Sequence, residues 1–248
     1  TPADSIYLIA KFRFTSITSL AVLLLAGCSS TVTMEMPTIP EPRIAKIPVE
    51  VAVRIPAEFQ DFVHSEEVLG KDTWTIHLGS SNAAFFTQLF GYMFESVIVL
   101  GPDDDPRDYQ FDALIEPGIE GFEFSVPSQS QTNAFAVWIR YRIAVFDSVG
   151  NRASNWTVSA YGKSQKEGLG GSDSLRRAAI LAMRDAAALI IMQMDKVTDI
   201  RKLADGPLDP ADVEPGTMNA GASPGAQSSE PESVIGIFAI GGIDDAAE

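Results

Sequence analysis

Apolar and polar positions nearly alternate over residues 49–55 (Val-Glu-Val-Ala-Val-Arg-Ile), which predicts a first strand. Residues 73–78 (Thr-Trp-Thr-Ile-His-Leu) repeat the alternation, with Trp74, Ile76 and Leu78 on one face. Gly79-Ser80-Ser81 then opens a helix predicted over Asn82 to Glu95, either serine being placed to cap it, with Ala84, Phe85, Leu89, Phe90 and Met93 as its apolar face. Ser96 to Leu100 is a short continuous apolar run, the pattern of a buried strand, so these segments read as a strand, helix, strand unit. Gly101 to Pro106 breaks the pattern as a loop. Further strands are predicted at Phe111–Glu116, Gly121–Val126, Ala134–Asp147 and Ala153–Gly162, the last two forming a long antiparallel hairpin across the turn Asp147-Ser148-Val149-Gly150-Asn151. A long helix follows at about 172–203, with Ser172 or Asp173 to cap it and an alanine-rich stretch suited to close packing on a sheet. The expected fold class is α+β: a mixed or mainly antiparallel sheet with two helices packed on one face and the hairpin near 134–162.

Outside residues 47–204 the pattern changes. Residues 29–48 are rich in Ser, Thr, Pro and Met, with Pro37, Pro40, Pro42 and Pro48 and no helical or strand period, so 28–46 is expected to be an extended tether. From Asp205 to Glu248 the chain holds nine acidic residues and no Lys or Arg, and reads as an acidic disordered tail. An apolar island, Val234 to Ile243, stands near its end. It is too short to span a bilayer and either adds as a strand to a partner's sheet or folds back on its own domain, the second being favoured.

The start of the chain carries the most specific signal. Lys11 and Arg13 precede a short apolar run from Ile17 to Ala26, then small residues and Cys28, the order of a secretory signal peptide. Leu25-Ala26-Gly27-Cys28 resembles the lipobox of bacterial lipoproteins. The resemblance implies that residues 1–27 are removed, the signal proper beginning near Lys11 and residues 1–10 standing outside it. It implies too that the Cys28 thiol accepts diacylglycerol while small Ala26 and Gly27 admit the peptidase, further acylation completing the anchor. Ser29, a residue other than Asp after the cysteine, implies by the same resemblance an outer-membrane, periplasm-facing location.

Charge and motifs exclude more than they assign. Residues 28–204 hold 16 basic against 23 acidic groups, which disfavours a nucleic-acid partner. With one cysteine, no intrachain disulfide can form. The two histidines, His64 and His77, lack metalloprotease spacing, and His77 is expected on a strand surface facing away from Trp74 and Ile76. Gly168-Leu169-Gly170-Gly171, near Lys163, Lys166, Arg176 and Arg177, fails both phosphate-loop templates and reads as a strand-to-helix connection. Asp103, Asp104, Asp105 and Asp108 lack the calcium-loop pattern and read as a solvated loop. Asn155-Trp156-Thr157 matches a glycosylation acceptor but lies in a predicted strand. No catalytic residue, cofactor or metal ligand is assigned.

The order of elements over 47–204, with Trp138-Ile139-Arg140-Tyr141, Trp156-Thr157-Val158 and Ala182-Met183-Arg184-Asp185-Ala186-Ala187, is similar to envelope lipoprotein domains of the TolB amino-terminal, LpoB and YajG type. That resemblance implies an interaction or assembly module anchored through its lipid, with an envelope protein as partner. The alternative is a small-molecule or lipid binder with a pocket between sheet and helix. An enzyme is the weakest reading, since no nucleophile, base and orienting group converge.

Overall fold

The computed structural model describes residues 29–209 apart from 102, 131, 169, 170, 198 and 199. The signal-peptide and lipobox assignments, Cys28 among them, and the island Val234–Ile243 lie outside the described residues. Fourteen elements run β1 (Ser29–Thr33), β2 (Ile47–Arg54), α1 (Ala57–Gln60), β3 (Val63–Val68), β4 (Asp72–His77), α2 (Gly79–Met93), β5 (Phe94–Leu100), a 3-10 turn (Pro106–Asp108), β6 (Ala113–Ser125), α3 (Pro127–Ser130), β7 (Ala134–Asp147), β8 (Arg152–Gln165), α4 (Ser172–Val197) and a second 3-10 turn (Ile200–Asp205). The fold is α+β, as the pattern predicts. A five-stranded mixed sheet has the order β5-β2-β6-β7-β8, and a three-stranded sheet has the order β1-β4-β3.

The hairpin β7–β8 forms the spine of the larger sheet. Its pairs run from Ala134↔Gln165 to Phe146↔Arg152 with one register shift near the turn. The Asp147 carboxylate closes that turn, accepting from the Val149 and Asn151 backbone N–H groups and from Asn151 Nδ2. The two strands predicted at 111–116 and 121–126 are one strand, β6, because a register shift between Ile119 and Gly121 lets the ladder to β7 continue past Gly118.

Both long helices cover the same face. Odd-numbered β7 residues Val137, Ile139, Tyr141, Ile143 and Val145 and even-numbered β8 residues Val158 and Ala160 face them and are buried. On α4, Ala178, Ala179, Ala182, Ala186 and Ala187 form the contact stripe, and the small side chains bring the helix backbone close to β8. A Cβ at Gly162 would lie 2.0 Å from the Ala178 carbonyl oxygen, so glycine is needed there. The α2 side is filled by rings: Phe86 packs edge-on against Phe59, Phe85 and Tyr141 at centroid distances of 5.4, 5.1 and 5.1 Å.

Several expectations need correcting. The 28–46 tether is not a spacer where it is described. Residues 29–33 form a strand parallel to β4, with Ser29 opposite Thr73, and Val32, Met34 and Ile39 are buried in the main core. The segment then follows α4, whose Arg176 Nε and Arg184 Nη2 donate to the carbonyls of Thr33 and Thr38. The prolines keep it extended, and its few apolar side chains are enough to hold it down. Helix α2 begins at Gly79, earlier than predicted, and no serine caps it. The Leu78 and Gly79 N–H groups donate to the Phe62 carbonyl, and the Ser81 hydroxyl donates to the Leu78 carbonyl. It ends at Met93, with Phe94 and Glu95 already in β5.

The strand, helix, strand unit is split between sheets: β4 pairs with β1 and β3, whereas β5 runs parallel to β2. The long helix stops at Val197, and the boundary at 205 moves outward. Ile200 and Leu203 of the second 3-10 turn are buried, and the Leu208 N–H donates to Asp147 Oδ2.

Candidate interaction surface

Residues singled out in the sequence as potential ligands have ordinary structural work. The His64 ring packs at a tilt on Phe122 and edge-on to Phe124, with centroids 5.0 and 5.9 Å away, and meets Glu66 Oε2 at 3.2 Å. His77 is exposed on β4, opposite in sense to buried Trp74 and Ile76. Asp104 accepts from the Gly101 N–H, and Asp105 pairs with Arg107 at 2.6 Å, which holds the Asp105 carboxyl down at about 2. At the start of α4, Arg176 is engaged by Asp173 at 2.7 Å, and Arg177 by Glu167 at 3.1 Å and by the Ser174 hydroxyl. Gly171 stands where a Cβ would strike Phe135 and Trp74, so it serves packing. Among the described residues no group of three or more His, Cys, Asp or Glu is arranged to hold a metal ion. Also among them, no helix is long and apolar enough to cross a membrane.

The space between sheet and helices, where a ligand pocket would lie, is occupied by side chains. Phe85, Phe86, Phe90, Leu89, Met93 and Tyr141 are all fully buried there. A hollow of about 240 Å³ lies instead on the opposite face of the larger sheet, lined by Gly121, Glu123, Trp138, Arg140, Ser159 and Tyr161. Register explains its contents. Trp138 pairs with Tyr161 on one side and with Glu123 on the other, and Arg140 pairs with Ser159 and Gly121. Side chains at these positions point away from the helices because they alternate with the buried odd-numbered residues of β7.

Two aromatic residues form the wall of this trough. Trp138 and Tyr161 are 44% and 42% exposed, with ring centroids 5.0 Å apart. Gly121 leaves the floor open, and Gly118 admits the Arg142 guanidinium, whose Nη2 would lie 3.2 Å from a Cβ at that position. The far end of the same face is closed by a small apolar cluster of Ala52, Leu100, Leu114, Ala144 and Phe146. The exposed portion is therefore confined to β6, β7 and β8. On the free edge of β8, Asp185 of α4 accepts from the Tyr161 N–H at 3.0 Å and so occupies one group of an otherwise available strand edge.

The sequence pattern places Trp138 and Arg140 in a strand and at no site. The signal was present: Trp138, Arg140 and Arg142 occupy the alternate, polar-face positions of a strand whose other face is apolar. A tryptophan in that row is out of keeping with a solvated face.

No family model matches the chain, and no curated protein matches it. Among solved structures it is similar to a minor lipoprotein from Acinetobacter baumannii, with 11% identity and a TM-score of 0.33 over 60% of this chain and 94% of that one. It is similar also to a lipoprotein from Neisseria meningitidis, with 12% identity and a TM-score of 0.30 over 58% and 97%. A hypothetical protein from Chlamydia trachomatis shows 10% identity and a TM-score of 0.35 over 59% and 96%.

Proposed function

We propose that the protein is a lipid-anchored module of the cell envelope, facing the periplasm from the outer membrane, that works by binding another envelope protein through the outer face of its larger sheet. The observation that carries the binding surface is the exposed Trp138–Tyr161 pair beside Arg140 and Arg142. Aromatic and arginine side chains together are enriched where protein partners bind, because they offer large rigid area with polar tips. The anchor rests on the lipobox at Leu25 to Cys28.

A filled core supports this reading over a small-molecule or lipid carrier. Ligand pockets generally measure about 300–1,000 Å³ and enclose most of their ligand, whereas this hollow is smaller and lies on an open sheet face. The partner segment that suits it carries apolar or aromatic groups for Trp138 and Tyr161 and a carboxylate for the arginines.

The test places a photo-crosslinking residue at Ser159 in the full-length chain in its own cells, with a control at Glu58 on α1. One adduct of fixed mass at 159, absent at 58 and reduced at least tenfold by Trp138→Ala with Tyr161→Ala, is the expected result. Equal adducts at both positions, or adducts insensitive to the double substitution while the melting temperature is unchanged, would overturn the surface assignment.

A further inference from the structure

We propose that the β3–β4 turn, Leu69-Gly70-Lys71, touches the lipid bilayer beside the anchor and sets the orientation of the domain on the membrane. The inference rests on lipidation at Cys28 as read above. Strand β1 begins at Ser29, the residue bonded to Cys28, and Ser29 pairs with Thr73 at the start of β4. Consecutive Cα atoms lie about 3.8 Å apart and Ser29 is itself held in the sheet, so no described length of chain separates the domain from the residue that carries the lipid. Because β1 and β4 run parallel, the turn leading into β4 lies at this same end.

That turn is built against its composition. Leu69 and Gly70 have φ of +54° and +64°, and the Lys71 N–H donates to the Val68 carbonyl at 3.2 Å. Left-handed backbone at both central residues is the requirement of a type I′ turn, which selects Asn, Asp or Gly. Leu69 is, among the described residues, the one non-glycine residue with positive φ, and its side chain is 61% exposed. Left-handed backbone costs a leucine, and an exposed side chain recovers nothing by packing in the fold, so this outlier points to a use outside it. Beside the attachment point of acyl chains, that use is burial among lipid, with the Lys71 stem reaching back to the headgroups. Glu67 and Asp72 flank the four-residue turn Val68–Lys71, so apolar contact and not attraction to anionic lipid drives the docking.

The rest of the molecule then acquires a direction. Trp74, paired with Ser30, contacts Phe135 at 6.0 Å, which places the anchor end at the start of β7. The turn at Val149, 67% exposed, lies at the other end of that strand, about 40 Å away at roughly 3.3 Å per residue.

The experiment uses the lipidated chain in vesicles of phosphatidylcholine and phosphatidylethanolamine. Leu69→Cys, Lys71→Cys and Val149→Cys are each labelled with an environment-sensitive fluorophore, since lipid consumes the Cys28 thiol. Nitroxide-bearing lipids are expected to quench positions 69 and 71 at least threefold more than position 149, with no dependence on added anionic lipid. Equal quenching at all three sites in a chain whose mass includes the lipid would overturn the docking proposal alone. A mature chain whose mass shows a free Cys28 and no lipid would overturn the lipidation reading and the docking with it. The Lys71 variant leaves Leu69 in place, so the result does not depend on the leucine's replacement being tolerated.

Discussion

The Tyr141 hydroxyl donates a 2.7 Å hydrogen bond to Asn82 Oδ1 in the fully buried space between β7 and α2. It joins residues 59 positions apart and ties the sheet to the phenylalanine-rich helix. Asn82 Nδ2 has no hydrogen-bond partner there, so the amide is only half satisfied. Tyr141→Phe leaves both ends of Asn82 unpaired and should cost about 1–3 kcal/mol in urea unfolding. Adding Asn82→Leu removes the orphaned amide, and the double variant should recover at least half of that loss. A double variant less stable than Tyr141→Phe alone would show that the amide has another role.

Burial pushes the Tyr141 phenol above the ordinary tyrosine range. The folded state therefore holds a proton that the unfolded chain releases above about pH 10. The stability linked to this group is fully present below that pH and declines as pH rises beyond it. In an ultraviolet titration, Tyr141 should stay un-ionised until the near-ultraviolet circular dichroism is lost.

Two glycines should respond in opposite directions to alanine. At Gly162 the added Cβ meets the α4 backbone at 2.0 and 2.4 Å, so Gly162→Ala should cost about 3 kcal/mol or more, by forcing helix and strand apart. At Gly91, inside α2, nothing lies within 4 Å of the new Cβ. Gly91→Ala should stabilise by up to about 1 kcal/mol through reduced backbone freedom in the unfolded chain. Thermal melts of the two variants check both signs.

Leu69→Gly should raise stability by about 0.5–1 kcal/mol, because left-handed backbone costs a leucine roughly 1–2 kcal/mol and glycine little, offset partly by glycine's larger entropy loss. Chemical denaturation of the chain in the absence of lipid measures it. A decrease would mean that Leu69 packs on its own domain.

The elements that were legible in the sequence are those whose two faces differ in polarity. Strand β7 alternates Trp138, Arg140 and Arg142 with Ile139, Tyr141 and Ile143, and α4 repeats alanine at helical spacing, so each announces its length and its buried side. Strand β3 escaped because His64, Ser65, Glu66 and Glu67 carry it on one buried residue, Val68, and on backbone pairing with β4. Strand β1 escaped for a similar reason: Ser-Ser-Thr-Val-Thr buries Val32 alone, and its place is fixed by a partner more than forty residues away. Such non-local pairing leaves no local period to read. The trough was half legible, its residues lying in a strand correctly placed, but the neighbours that shape it, Glu123, Gly121 and Tyr161, come from strands whose register only the folded sheet defines.

The parallel ladder between β1 and β4 also determines how the domain bears load. Under the anchoring at Cys28 and the partner binding proposed above, tension between bilayer and partner would enter at the first residue of β1 and load the strand along its axis. Five successive residue pairs, Ser29↔Thr73 through Thr33↔His77, then resist in shear together, where a strand pulled crosswise would unzip one pair at a time. A domain anchored in this way would hold its attachment as a mechanical clamp, the force that frees it being set by the whole ladder at once.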